Sequence, residues 1–316
     1  MANGDYAYAV ARVRSAEAGL IPQAQLDTAI NCQSVSDVFE IIEKYGYDKS
    51  FNSEHKLYKL WGFAFELAPG DMLWPLCITN EFHNLKAAFR LKILNAAADN
   101  VFITSGVITP PEAVLKAVMA NDLGALPGPL KDAAQAVFES LGPKSALRDV
   151  DILVDKLCLL ELKRCADKTK DKVVKAYMDT IINYADINAC YRMLQEGFYS
   201  ENIEPALADS GQLESALLAK SAMGGIESFY EYIASTPFKE VIEILKAGGG
   251  GLYKYFYDRL ITDIKPQRIN PFTFGPIAAF IIAGVTEVRN VRTILLLKNA
   301  GLKSDDIRLR SVISYV

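Results

Sequence analysis

The chain has 316 residues, 51% of them hydrophobic and 23% charged, which excludes a disordered polymer and supports a core that needs neither disulfide nor metal. That length lies near the limit of one compact core, so two or three lobes are expected. The formal charge of −4 excludes the basic excess that phosphate binding selects, so the chain is expected to bind no nucleic acid and to meet protein partners instead.

From the N-terminus, no uninterrupted apolar stretch marks a secretory signal. Arg12 and Arg14 sit among Tyr8, Val10 and Val13 near the start of a first helix. Interface ion pairing and plain solvation are both open for them. Ser36-Asp37 precedes an apolar run, and Val35, Val38, Phe39, Ile41 and Ile42 recur near the helical period. Cys77 and His83 are too isolated for a zinc site, and the apolar setting of Cys77 reads as an inert, buried thiol. The five cysteines are odd in number and contain no C-x-x-C pair, as expected of free thiols in a reducing compartment.

Further along, Thr109-Pro110-Pro111-Glu112 places proline in a first turn, ahead of Ala113, Val114, Ala117 and Val118 at helical spacing. Asp149, Asp151 and Asp155 form D-x-D-x-x-x-D, which imitates the aspartates that hold Mg²⁺-diphosphate in all-helical enzymes. No second acidic cluster faces them, and Arg148 and Lys156 can pair with them on a solvated face. Leu153 to Lys163 continues the helical period. Gly248 to Gly251 lacks a following Gly-Lys-Ser/Thr and a preceding strand, so it reads as a joint between helices and not as a phosphate cradle; no nucleotide binding is expected. Pro276 to Val285 is apolar but short, and Glu287, Arg289 and Arg292 follow it, so a buried core helix is expected in place of a membrane span. Val288 to Leu297 is helical again, and period-2 alternation is scarce. The chain reads as all-α, with no catalytic, cofactor or metal residues.

An internal repeat organises these helices. An acidic residue, then Asn, then a hydrophobic-basic run occurs three times: Glu81, Asn84 and Lys86; Asp186, Asn188 and Arg192; Glu287, Asn290 and Arg292. The asparagines are 188 − 84 = 104 and 290 − 188 = 102 residues apart. A glycine with apolar or aromatic followers keeps the same beat at Gly106, Gly197-Phe198-Tyr199 and Gly301, and Gly19-Leu20-Ile21 opens the first unit likewise; helix C-caps are expected there. Three helical lobes follow, at 1–98, 99–195 and 196–316. Glu81 shares a helix face with Asn84, and Glu287 with Asn290. Such pairs either bond across lobes and contact a partner, or brace a neighbouring helix end; both remain open.

With these motifs in this order, the chain resembles the C subunit of prokaryotic A/V-type rotary ATPases, whose eukaryotic counterpart is the d subunit of the vacuolar enzyme. The resemblance rests on Tyr6 to Leu20, Tyr45-Gly46-Tyr47, Ser235-Thr236-Pro237-Phe238, Gly275-Pro276, the Glu287 to Arg292 run and Gly301 to Arg308, and it covers nearly the whole chain. The second unit departs from the pattern: Asp186 lies two positions before Asn188, and the basic residue moves to Arg192. The resemblance implies a funnel of three pseudo-symmetric helical lobes. It implies partners in the central-shaft subunits and the membrane proteolipid ring, and a peripheral position on the cytoplasmic side. It further implies a non-catalytic rotor coupler for H⁺ or Na⁺ transport. A helical-repeat scaffold with unrelated partners is the alternative, and an Mg²⁺ enzyme built on Asp151 and Asp155 a more distant one.

Overall fold

The structure is a computed structural model and describes residues 6–50, 52–97, 100–142, 146–196 and 203–316. Among these there are fifteen α-helices and no strand, so the chain is all-α as its periodicity requires. In chain order they are α1 (Tyr6–Glu17), α2 (Gln23–Asn31), α3 (Val35–Ile42), α4 (Ser53–Leu67), α5 (Gly70–Leu94), α6 (Pro111–Ala120), α7 (Gly128–Ser140), α8 (Leu147–Lys168) and α9 (Lys172–Glu196). Then follow α10 (Ser215–Met223), α11 (Ile226–Ala234), α12 (Val241–Lys246), α13 (Leu252–Ile264), α14 (Gly275–Asn299) and α15 (Ser304–Arg308). They divide into two compact units: Met1–Pro69 with Thr169–Thr180 and Ile233–Val316, and Gly70–Lys168 with Ile181–Tyr232.

The first unit is built on α14. Its opening half, Gly275 to Gly284, is buried throughout, because a helix that is apolar on every side has no face to offer water. It packs against α1, α3, α4 and α15. Phe280 meets Phe63 edge-on at 5.7 Å between centroids. Gly284 admits Leu60 of α4 so closely that a Cβ there would lie 2.8 Å from its Cδ2. A second cluster joins Ile21, Ile30, Val38, Ile42 and Tyr47 to Val291, Ile294 and Ile307. No helix of the described residues is long and apolar enough to cross a membrane.

Helix ends follow local chemistry. Ser34 caps α3 in a reciprocal box with Asp37, so Ser36-Asp37 lies inside the first turn and not ahead of it. Gly301 takes φ +76° after α14, with its N–H on Lys298 O and that of Leu302 on Leu297 O, the paired bonds of a Schellman cap. Gly248 and Gly249 close α12 by the same pair of bonds, to Leu245 O and Ile244 O, so the glycine run is a formed cap and not a loose joint. Gly106 differs from expectation: its φ of +65° falls in the loop between α5 and α6, and it ends no helix.

The second unit groups α5 to α8 with α10, α5 contacting α6, α7 and α8. Leu73, Ile78, Leu85, Phe89, Leu130, Val137, Val154 and Leu162 are fully buried, and Phe89 meets Phe138 at 5.0 Å. Pro110 and Pro111 occupy the cap and first position of α6, as the sequence predicts.

Candidate functional site

In the second unit, α5 turns Glu81 and Asn84, both fully buried, toward the loop that leads to α6. Asn84 holds one residue by both ends: Nδ2 donates to Ile103 O at 2.8 Å and Oδ1 accepts the Ile103 N–H at 2.8 Å. Glu81 Oε1 accepts the N–H of Ile108 and, at 2.9 Å, that of Thr109. Asn80 adds donors to Ser105 O and Gly106 O at 3.2 and 3.1 Å. A loop with no helical or sheet ladder of its own must find partners for its backbone where it is covered, and this helix face supplies them. Burial raises the carboxyl of Glu81, and the two N–H donors oppose that rise.

In the first unit, α14 makes the same clasp. Asn290 Nδ2 donates to Val312 O at 2.8 Å while Oδ1 accepts the Val312 N–H at 2.9 Å. Glu287 Oε2 accepts the Ile21 N–H at 2.5 Å, and Oε1 accepts the hydroxyl of buried Tyr47 at 2.8 Å. Ile21 follows Gly19 by two positions, as Ile108 follows Gly106, and each leads into a helix capped by proline, Pro22 or Pro110. What differs is the source of the segment held. Around Glu81 it comes from the next loop; around Glu287 it comes from 266 residues earlier. The tail completes the tie, with Ser314 Oγ donating to Ile21 O at 2.5 Å and Ser314 N–H to Gln23 Oε1 at 2.7 Å. Burial raises both Glu287 and Tyr47, and Lys56, whose ammonium lies 4.4 Å from the Tyr47 ring centroid, is lowered by its own burial.

The middle copy, on α9, lies with its partners in the second unit. Asp186, 1% exposed, accepts the Ala208 N–H with both oxygens at 3.1 and 3.2 Å and the Asp209 N–H at 3.3 Å. One turn before it, Asn183 donates to Gln212 Oε1 at 2.7 Å and accepts the Ser210 hydroxyl at 2.5 Å. Here the amide precedes the acid, Asn183-x-x-Asp186, whereas α5 and α14 run Glu-x-x-Asn. Asn188, two positions after Asp186, is half-buried on a different face of the helix. Burial pushes Asp186 up from 3.8 to about 6, against its N–H donors and nearby Lys156. The Gly197-Phe198-Tyr199 element lies outside the described residues.

The model of the family described as ATP synthase (C/AC39) subunit matches residues 9–310. The chain belongs to that family. It is 22% identical over 313 residues to the C subunit of the V-type sodium ATPase of Enterococcus hirae, an alignment spanning 94% of this chain and 95% of that protein. It is also 22% identical over 340 residues to the C subunit of the A-type ATP synthase of Methanocaldococcus jannaschii, spanning 96% of this chain and 85% of that protein. The resemblance read from the motifs is therefore borne out.

The remaining predicted residues of this family member split into ties and exposed cations. Arg14 is a strut: it donates to Glu17 at 2.6 Å and to the carbonyls of Gln267 and Asn270 at 2.5 and 3.1 Å. Arg12 pairs with Glu66 at 2.7 Å and lies 4.9 Å from the Phe63 ring centroid. Lys86 pairs with Asp155 at 2.5 Å and Arg90 with Asp151 at 2.5 Å, linking α5 to α8. The two aspartates that imitate a metal motif are thus engaged by cations. Among the described residues no group of three or more His, Cys, Asp or Glu is placed to hold a metal ion. Arg192 pairs with Glu196 on the exposed face of α9, and Arg292 is exposed. Cys77 is buried, and burial raises its thiol, so the reactive thiolate is disfavoured there. Sequence reasoning missed Tyr47 as a clasp donor and Asn183 and Asn80 as clasp amides. The signal for Asn183 was its position three before Asp186, on the same helix face.

Proposed function

We propose that this chain is the central-stalk component of a rotary A/V-type ATPase that couples the rotating shaft to the membrane proteolipid ring and has no catalytic site of its own. The observation that carries the reading is the family match along residues 9–310, nearly the whole chain, with a relative covered over 95% of its own length. The clasps support it mechanically. A part that passes torque must not yield, and each clasp ties a non-helical segment to a long helix by charge-assisted or two-ended bonds. Three lobes, 1–98, 99–195 and 196–316, forming a funnel at the cytoplasmic side of the membrane, belong to the same proposal; the recurrence of the clasp on α5, α9 and α14 supports it. Partners are then the shaft subunits and the ring, for transport of H⁺ or Na⁺.

The test is to express the chain with shaft subunits of the same complex, add the detergent-solubilised ring, and weigh the assemblies by native mass spectrometry. One copy on the shaft and a further complex with the ring is the expected result. A folded chain that stays alone beside active partners overturns the reading and leaves a scaffold with other partners.

A further inference from the structure

One surface of the first unit runs against the charge of the whole chain. Between Asp263 and Glu287 there is no acidic residue, only Lys265 and Arg268, in a protein of net charge −4. A 3-10 segment, Lys265–Ile269, opens this stretch. It carries two large apolar side chains outward, Ile269 at 88% exposure and, just beyond, Phe272 at 54%.

The segment is held in place. Arg14 of α1 bonds the Gln267 and Asn270 carbonyls, Asn270 Nδ2 donates to Gln267 Oε1 at 3.1 Å and Thr273 Oγ1 at 2.8 Å, and Tyr6 meets Phe274 at 6.5 Å. Beside it lies an open cleft of about 680 Å³ whose lining includes Leu20, Pro22 and Ile269 as apolar wall, with Arg14, Lys265 and Arg268 as cations. Glu17 is the acidic side chain of the lining, and Arg14 already pairs with it. Even with a terminal carboxylate counted on Val316, the three cations outnumber two anions. Among the described residues Lys265 and Arg268 form no ion pair.

We infer that this cleft is a docking seat for a segment of a partner protein that carries carboxylates flanked by apolar side chains. Charge complementarity selects the carboxylates, since two cations beside an apolar wall have no counter-ion of their own. Ile269 supplies the anchor, and the ties through Arg14 and Asn270 hold it ready, so little ordering is left to oppose association. Two cations alone are too few for a stable hold on a lipid surface, which favours the protein occupant. The inference rests on the coupler reading for one point, that the partner belongs to the same complex.

The experiment titrates the full chain against purified shaft subunits and, separately, the detergent-solubilised ring, at low and high salt. Variants are the double substitution Lys265→Glu with Arg268→Glu, the single Ile269→Ser, and the conservative pair Lys265→Arg with Arg268→Lys. Arg268 and Ile269 are exposed, and half-buried Lys265 forms no ion pair among the described residues, so melting temperature and helical circular dichroism should match the wild type. The expected result is an affinity for one of the two partners reduced about tenfold or more by the first two variants and kept by the third, with the wild-type affinity falling as salt rises. Wild type that binds while every variant binds equally overturns the docking seat and leaves the coupler reading intact. Wild type that binds neither shaft nor ring overturns the coupler reading itself. Loss seen only with vesicles of equal parts phosphatidylcholine and phosphatidylserine, or only in self-association, overturns the proposed occupant.

Discussion

Asn84 and Asn290 each spend both ends of one amide on a single backbone residue, Ile103 and Val312. Leucine at either position fits the volume but leaves an N–H and a C=O unpaired, buried at Val312 and partly buried at Ile103. The expected loss is about 2–6 kcal/mol, because two unmet polar groups each cost about 1–3 kcal/mol, and urea denaturation measures it. Asp186 gives a pH signature. Its folded value of about 6 lies above the ordinary 3.8, so burial disfavours the charged form. Below 3.8 the carboxyl is neutral in both states and costs nothing; as pH rises past about 6 it is ionised in both, and the folded state is penalised. Asp209 on the facing loop adds to the rise and Lys156 opposes it. Relative to Asp186→Asn, wild-type stability should fall by on the order of 3 kcal/mol across that window, read from denaturation at stepped pH. A difference that stays flat with pH would mean the carboxylate is solvated.

At the scale of elements, two glycines test two different constraints. Gly301 has open space around its missing Cβ but a φ of +76°, so alanine there meets backbone strain alone. About 1 kcal/mol of lost stability is expected from the left-handed cap. Gly284 has ordinary helical backbone, but a Cβ would press on Leu60 where α4 crosses α14. Alanine there should cost about 1–3 kcal/mol, the usual range for overfilling a packed contact, unless Leu60 turns aside. Thermal melting of both variants, paired with Leu60→Ala in the Gly284→Ala background, separates the cases: relief by the second substitution identifies crowding.

For the whole molecule, continuity in sequence and continuity in space part company. The chain passes between the two units at Pro69, Lys168, Thr180 and Tyr232, and the last two passages fall inside α9 and α11. Neither unit is one uninterrupted stretch. A fragment ending at Pro69 keeps Ile21 and Tyr47 but loses Glu287, their acceptor, together with α14 and its core. That fragment should show helical signal without a cooperative denaturation transition, while the full chain unfolds cooperatively. A sharp transition in the fragment would show that α14 is dispensable to the first unit.

Local chemistry made much of this legible beforehand. The apolar period marked the helices, proline marked the start of α6, and the hydrophobic run after Gly275 announced a core helix whose apolar stretch is too short to span a membrane. The spacing of Glu81, Asn84, Glu287 and Asn290 exposed a repeat, because residues three apart share a helix face. The order of those motifs carried the family. Tertiary structure alone decided what the polar faces hold. Nothing near Glu287 in sequence names Ile21, and nothing near Tyr47 names Glu287. On α9 the amide of the clasp is Asn183, placed before its acid, so a motif read in one direction passes over it. A buried carboxylate needs donors wherever the fold can bring them. Sequence records that need through residue type and spacing, whereas the identity of the donors depends on chain paths that meet only after folding.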